Sequence, residues 1–105
     1  MKNLYSIDEL AAFRDIVADL NTMHDLRQLN SNPSIYLANL QLNNLYFKLL
    51  HAITRCTLER RTKLKFNLNL KDRLALMVFK NAKLELGIYE RNFITQIFIE
   101  IQASF

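Results

Sequence analysis

The chain predicts an all-α fold: a four-helix bundle-like domain with one long central helix and an extended connector at about 63–69. Three observations predict it. Gly and Pro each occur once in 105 residues, whereas sheet proteins of this size need several glycines for positive-φ turns. Half of the residues are hydrophobic and nineteen are leucine, enough for a packed core instead of a disordered chain. Apolar side chains recur mainly at spacings of three and four, the period of a helix face. The length fits a single helical domain over 1–105.

Ser6 is placed to cap the first helix, with Glu9 three residues on at the spacing of a capping box. Leu10, Phe13, Val17 and Leu20 then recur at 3-4-3, with Ile16 and Met23 widening the stripe. Asp8, Glu9 and Asp15 crowd the N-terminal half, where the helix dipole favours anions. This helix is expected to fade near Leu29, before the breaker "NSNPS" at 30–34. Asn32 caps the second helix and Pro33 takes its first position, where a missing N–H costs nothing.

From Ile35 the second helix carries a heptad-like seam of Ile35, Ala38, Leu42, Leu45, Leu49, Ala52 and Cys56. Tyr36, Leu40, Phe47 and Leu50 form a second row beside it. One neighbouring helix would not cover so wide an apolar arc, so this helix is expected to be central or to share a surface with another chain. Its expected end is near Arg61.

In "KLKFNLN", residues 63–69, apolar and polar side chains alternate strictly, as in extended backbone. The one evident strand partner is "QIFIEIQ", residues 96–102, but that segment reads better as helix, with Ile94, Ile97, Phe98, Ile101 and Phe105 in a stripe. Residues 63–69 are therefore expected to be an unpaired connector pinned by its leucines. A strand pair of 63–70 with 96–102 is the alternative. Asn69 caps the third helix, with Asp72 three residues later. That helix is expected over roughly 70–86, ending at Gly87 as a left-handed C-cap, and the fourth over about 89–103.

Charge is the least uniform property. Residues 1–30 hold three Lys/Arg against five Asp/Glu, and 84–105 hold one against three. Residues 55–83 hold nine against two. Arg55, Arg60, Arg61, Lys63, Lys65, Lys71 and Arg73 are the candidate basic patch, able to meet phosphates or an acidic protein face. The same charges also keep a leucine-rich surface soluble, and Arg60 and Arg61 complement a helix C-terminus with no partner at all.

Signatures of enzyme chemistry are missing: no Gly-rich phosphate loop, CxxC, HExxH or nucleophile elbow. His24 and His51 lack ligand-type neighbours at helical spacing, and Cys56 sits in the seam as a small hydrophobe. Asp15 and Asp19 share a helix face, as solvated carboxylates commonly do. No cofactor, metal or small-molecule substrate is expected. Residues 82–98 loosely resemble a helix-turn-helix, with Arg91, Asn92, Thr95 and Gln96 of base-reading types. Glu90 and the apolar Ile97–Ile99 oppose that assignment.

The single cysteine excludes an internal disulfide framework and fits a reducing compartment. Asp8 and Glu9 interrupt the N-terminus before any apolar signal region. The longest apolar run, Leu74–Phe79, has six residues, against about 20 for a bilayer span. The expected setting is cytoplasmic or virion-associated, and the Asn-, Lys- and Ile-rich composition suits an AT-rich phage or mobile-element genome. Insertion of Leu64, Phe66 and Leu68 into a membrane surface competes with their use in the core. The leading expectation is a non-enzymatic protein–protein interaction or structural module that self-associates or docks in a larger assembly, with Leu40, Phe47, Ile97, Phe98, Ile101 and Phe105 as the apolar interface. The alternative is nucleic-acid binding through 55–83.

Overall fold

The computed structural model describes residues 2–22, 32–82 and 84–105. Its elements in chain order are β1 (Leu4–Ser6), α1 (Ile7–Thr22), α2 (Pro33–Leu58), β2 (Lys63–Lys65), α3 (Leu70–Val78) and α4 (Ile88–Ala103). Helices carry 71% of the described residues, and the only sheet among them is one pair of three-residue strands. The fold is therefore all-α and bundle-like. The expected continuation of α1 to Leu29, with Met23 and His24, lies outside the described residues.

The starts of the first three helices follow local chemistry. The Glu9 N–H donates to Ser6 Oγ at 3.1 Å, and the Ser6 N–H donates back to Glu9 Oε1 at 3.0 Å, closing the capping box. Burial pushes the Glu9 carboxyl up, but bonds from Lys2 and Ser6 overcome that and hold it below its ordinary value. The Asn32 side chain accepts from the N–H groups of Ser34 and Ile35, with Pro33 opening α2. At α3 the Asp72 N–H donates to Asn69 Oδ1 at 2.8 Å and the Asn69 N–H donates to Asp72 Oδ2 at 3.2 Å.

Three boundaries differ from expectation. The connector is extended at 63–65 but paired, and its partner is neither unoccupied solvent nor 96–102, which lies inside α4. β2 pairs antiparallel with β1, in the register Leu4↔Lys65, Tyr5↔Leu64, Ser6↔Lys63. Three residues are too few to show alternation, so β1 left no periodic signal in the sequence. Its single inward side chain, Tyr5, and its partner Leu64 are both buried. Phe66 is also buried, and Leu68 is partly buried against the same core.

α2 stops at Leu58, three residues before its expected end. The Arg61 N–H donates to the Cys56 carbonyl at 2.9 Å and the Arg60 N–H to the Thr57 carbonyl at 3.2 Å, around Arg60 at φ 53°. That is a Schellman motif in which arginine occupies the left-handed position usually given to glycine. The glycine sits elsewhere. α3 ends at Val78, not near 86, because the N–H groups of Phe79, Lys80 and Ala82 bond three residues back in tight turns. Gly87 has φ −65° and is the N-cap of α4, so it is not a C-cap. With α3 ended at Val78 and 84–87 not helical, the helix-turn-helix resemblance of 82–98 disappears.

The core joins the four described helices. α1 packs most extensively on α2, with α4 against α1 and α3 against α2. Every member of the predicted α2 seam is buried except Ile35, which is partly so. At one end of the core the rings of Tyr5, Phe13, Phe66 and Phe93 meet edge-on or tilted, with centroids 5.5–6.4 Å apart. The cluster ties β1, α1, the β2 exit and α4 together. With 26 residues at about 1.5 Å each, α2 runs most of the 44 Å long axis.

Candidate functional site

α2 has two apolar seams on opposite sides. The inner one, Ile35 to Cys56, belongs to the core. Shifting each of its positions by two residues gives Leu37, Leu40, Asn44, Phe47, His51, Thr54 and Leu58, again at 3-4-3-4-3-4. Two residues turn a helix by about 200°, so this outer seam faces away from the core. All seven residues are exposed. Leu37 is 64%, Phe47 58% and Leu58 78% exposed, and Leu40 nearly half. Tyr36, beside Leu40, is also about half exposed. Apolar side chains left in water at coiled-coil spacing along a helix of this length are unusual for a surface with no partner.

Two grooves border the seam. Along its N-terminal half, α2 and α3 enclose about 590 Å³ lined by Leu37, Leu40, Asn44, Lys71, Leu74 and Val78. Leu74 and Val78 are each about half exposed, so the apolar surface continues onto α3. Along the C-terminal half, α2 and β2 enclose about 510 Å³ lined by Phe47, Lys48, His51, Arg55, Lys65 and Phe66. The Phe47 ring rests edge-on against Tyr46, centroids 5.5 Å apart.

Asp72 holds this face in shape. Its carboxylate is fully buried, accepting from Gln41 Nε2 at 2.7 Å, Lys48 Nζ at 2.6 Å and the Asn69 N–H at 3.2 Å. One side chain thus caps α3 and clamps it to the middle of α2. A buried carboxylate with three donors, one of them an ammonium, is costly to break. Sequence spacing revealed the cap alone, because Gln41 and Lys48 lie 31 and 24 residues away.

The predicted basic residues do not form one patch. Arg55 Nε and Arg61 Nε share Glu59, at 3.3 and 2.8 Å. Lys63 and Lys65 project from β2 on the side away from Leu64, and Lys65 and Arg55 both line the α2–β2 groove. Lys71 lines the other groove. Arg73 Nη1 donates to Ser104 Oγ at 2.9 Å, with its guanidinium 5.7 Å from the Phe105 ring centroid. Among the described residues, Arg60, Lys63 and Lys65 have no acidic partner.

The predicted apolar interface divides likewise. Leu40, Phe47 and Phe105 are exposed, and Phe105 lies beneath Arg73. Ile97 and Ile101 are enclosed in the core and present nothing to a partner, because α4 turns that stripe onto α1. Phe98 is partly buried against the same core. The missed members are Leu37 and Leu58 on α2, which share the 3-4 spacing of Leu40 and Phe47 but are separated from the core stripe only once the inner seam is seen to be buried, and Leu74 and Val78 on α3, which required the packing. Arg91, Asn92, Thr95 and Gln96 lie exposed on α4. Among the described residues, no group of three or more His, Cys, Asp or Glu side chains could hold a metal ion, and no helix is long and apolar enough to cross a membrane.

Comparisons of this chain with protein-family models, curated proteins and solved structures find no match.

Proposed function

We propose that the protein is a non-enzymatic interaction module whose outer α2 face, extended by the α2–α3 groove, docks another protein chain. The single observation that carries this is the exposed 3-4 seam with four large apolar residues. Its spacing suits a helix laid along it, read through anchors at i, i+3 and i+7. The Asp72 clamp supports the reading, since it fixes the groove walls before any partner arrives and so lowers the ordering cost of binding. A virion or phage assembly is one setting in which such a module would serve.

A photo-cross-linking residue at position 47, with a control at exposed Asp15, tests the reading in the native source alongside sedimentation of the purified protein. Cross-links to a protein chain from position 47 and not from 15 are expected. No self-association together with no cross-link specific to position 47 would overturn it.

A second reading rests on Lys65 lining a groove that holds Phe47 and Phe66, with Arg60 and Lys63, unpaired among the described residues, a few residues away along the chain: polyanion binding, with cations for phosphates and rings for bases. Phe66 is buried and Arg55, Arg61 and Lys48 are paired with carboxylates, which ranks it second.

A further inference from the structure

We propose that the occupant of the outer α2 seam is a second copy of this chain, laid antiparallel across a two-fold axis at Phe47. This rests on the interaction reading above and names its partner.

Pairing the seam with its own reversal centres it on Phe47. Leu37 then meets Leu58 of the other copy, Leu40 meets Thr54, Asn44 meets His51 and Phe47 meets Phe47. Apolar layers oppose apolar or half-apolar ones, the amide of Asn44 and the imidazole of His51 face each other, and the remaining polar side chain, Thr54, sets its methyl-bearing carbon against Leu40. Such self-complementarity is what an isologous two-fold contact needs. A parallel arrangement instead sets His51 against His51 and Asn44 against Asn44.

Charge selects the same orientation. Residues 33–47 of α2 contain no charged side chain, whereas Lys48 and Arg55 lie in its second half and Arg60 and Arg61 in the turn that follows it. Parallel pairing would bring these basic ends together in both copies. Antiparallel pairing about Phe47 leaves Lys48 near the axis, where Asp72 neutralises it. It separates Arg55 from its counterpart by about 24 Å and Arg60 by about 39 Å along the axis, well beyond the screening length of about 8 Å in physiological salt. It also lays Arg55 against the uncharged Asn39 region of the other copy. Each copy's two grooves flank opposite halves of the seam, so the two-fold places an α2–α3 groove of one copy near an α2–β2 groove of the other.

The test uses spin labels off the seam, at exposed Ser34 or Thr57, in the full chain with Cys56→Ser. Parallel measurements retain Cys56, whose fully buried thiol is protected from labelling. Ser34 lies 13 residues from Phe47, so antiparallel pairing gives a label separation near 39 Å, and Thr57, ten residues away, near 30 Å, at a rise of about 1.5 Å per residue. Parallel pairing puts both near the interaxial distance of about 10 Å. Phe47→Asp is expected to weaken dimerisation by roughly 30-fold or more while far-UV circular dichroism stays unchanged. Short distances at both positions, dimerisation indifferent to Phe47→Asp, or a monomer at high micromolar concentration would each overturn the proposal. A monomer whose position 47 still cross-links to a different protein overturns this inference alone and leaves the interaction reading standing. Loss of both removes both.

Discussion

Replacing Asp72 with Asn isolates the clamp that shapes the α2–α3 groove. The change keeps side-chain volume but removes the charge and one of two acceptor oxygens. Asp72 now accepts from Gln41, Lys48 and the Asn69 N–H with no solvent exposure. An amide in its place turns an NH₂ group toward at least one of those donors. Losing the charge-assisted bond costs about 1.5–3 kcal/mol, and weakening the reciprocal cap adds about 1 kcal/mol. Lys48, whose side chain is 40% exposed, can swing into water, which keeps the total near about 3 kcal/mol and below the worst buried-charge cases. Against a domain stability of about 5–15 kcal/mol, that is a large fraction. Urea unfolding followed by circular dichroism should show the midpoint lowered by about 1–2 M for a slope near 2 kcal/mol/M. A double-mutant cycle with Lys48→Met should return a coupling of about 1 kcal/mol or more. An Asp72→Asn variant within about 0.5 kcal/mol of the parent would refute the clamp, because surface substitutions behave that way.

Arg60→Gly should stabilise the fold by about 1 kcal/mol, since it removes the cost of a left-handed non-glycine residue at the α2 Schellman motif; thermal melting checks it, and a lowered melting temperature contradicts it. Alkaline unfolding should expose Tyr5, whose hydroxyl is pushed up to about 12 by burial and then by Glu100 and Glu9. Between pH 10 and 12 the unfolded tyrosine ionises and the folded one does not, so stability is intact below 10 and falls by roughly 2 kcal/mol toward 12; Tyr5→Phe should flatten that decline in urea titrations. If the second reading holds, a labelled single-stranded oligonucleotide should bind at low salt with an affinity that drops steeply as salt rises, and Lys63→Ala with Lys65→Ala should weaken it by roughly tenfold; anisotropy unchanged at low salt would dismiss it.

Much of the fold was legible because helices announce themselves locally. The boxes at Ser6/Glu9 and Asn69/Asp72, the Asn32–Pro33 start and the inner seam all depend on residues within one or two turns, and each stands where the spacing put it. What failed was either too short or too distant. β1 is three residues long, and its pairing with β2 spans almost sixty positions. The left-handed C-cap was assigned by residue type to Gly87, while Arg60 adopts it because Arg61 and Arg60 can then satisfy the last α2 carbonyls. α3 stops early although Phe79, Ala82 and Leu86 keep helical spacing, since a tight-turned segment can bury the same side chains.

The candidate site was half legible. Leu40 and Phe47 stood out as surplus apolar positions, but the full outer row needed the knowledge that the inner seam is completely used by the core. Ile97 and Ile101 looked identical to them in sequence, and only the placement of α4 against α1 separates a core stripe from a docking stripe. The basic segment read as one patch because its residues are close in sequence. In space, Arg55 and Arg61 turn to Glu59, Lys71 lines the α2–α3 groove and Arg73 turns to Ser104.

Sedimentation equilibrium across the micromolar range, run in parallel on the parent chain and on Phe47→Asp, tests the central claim most directly. The account predicts that the parent moves from its monomer mass of 12.4 kDa toward twice that value with rising concentration, and that the variant does not. A parent protein that stays at the monomer mass throughout, or a variant that dimerises equally well, would contradict it.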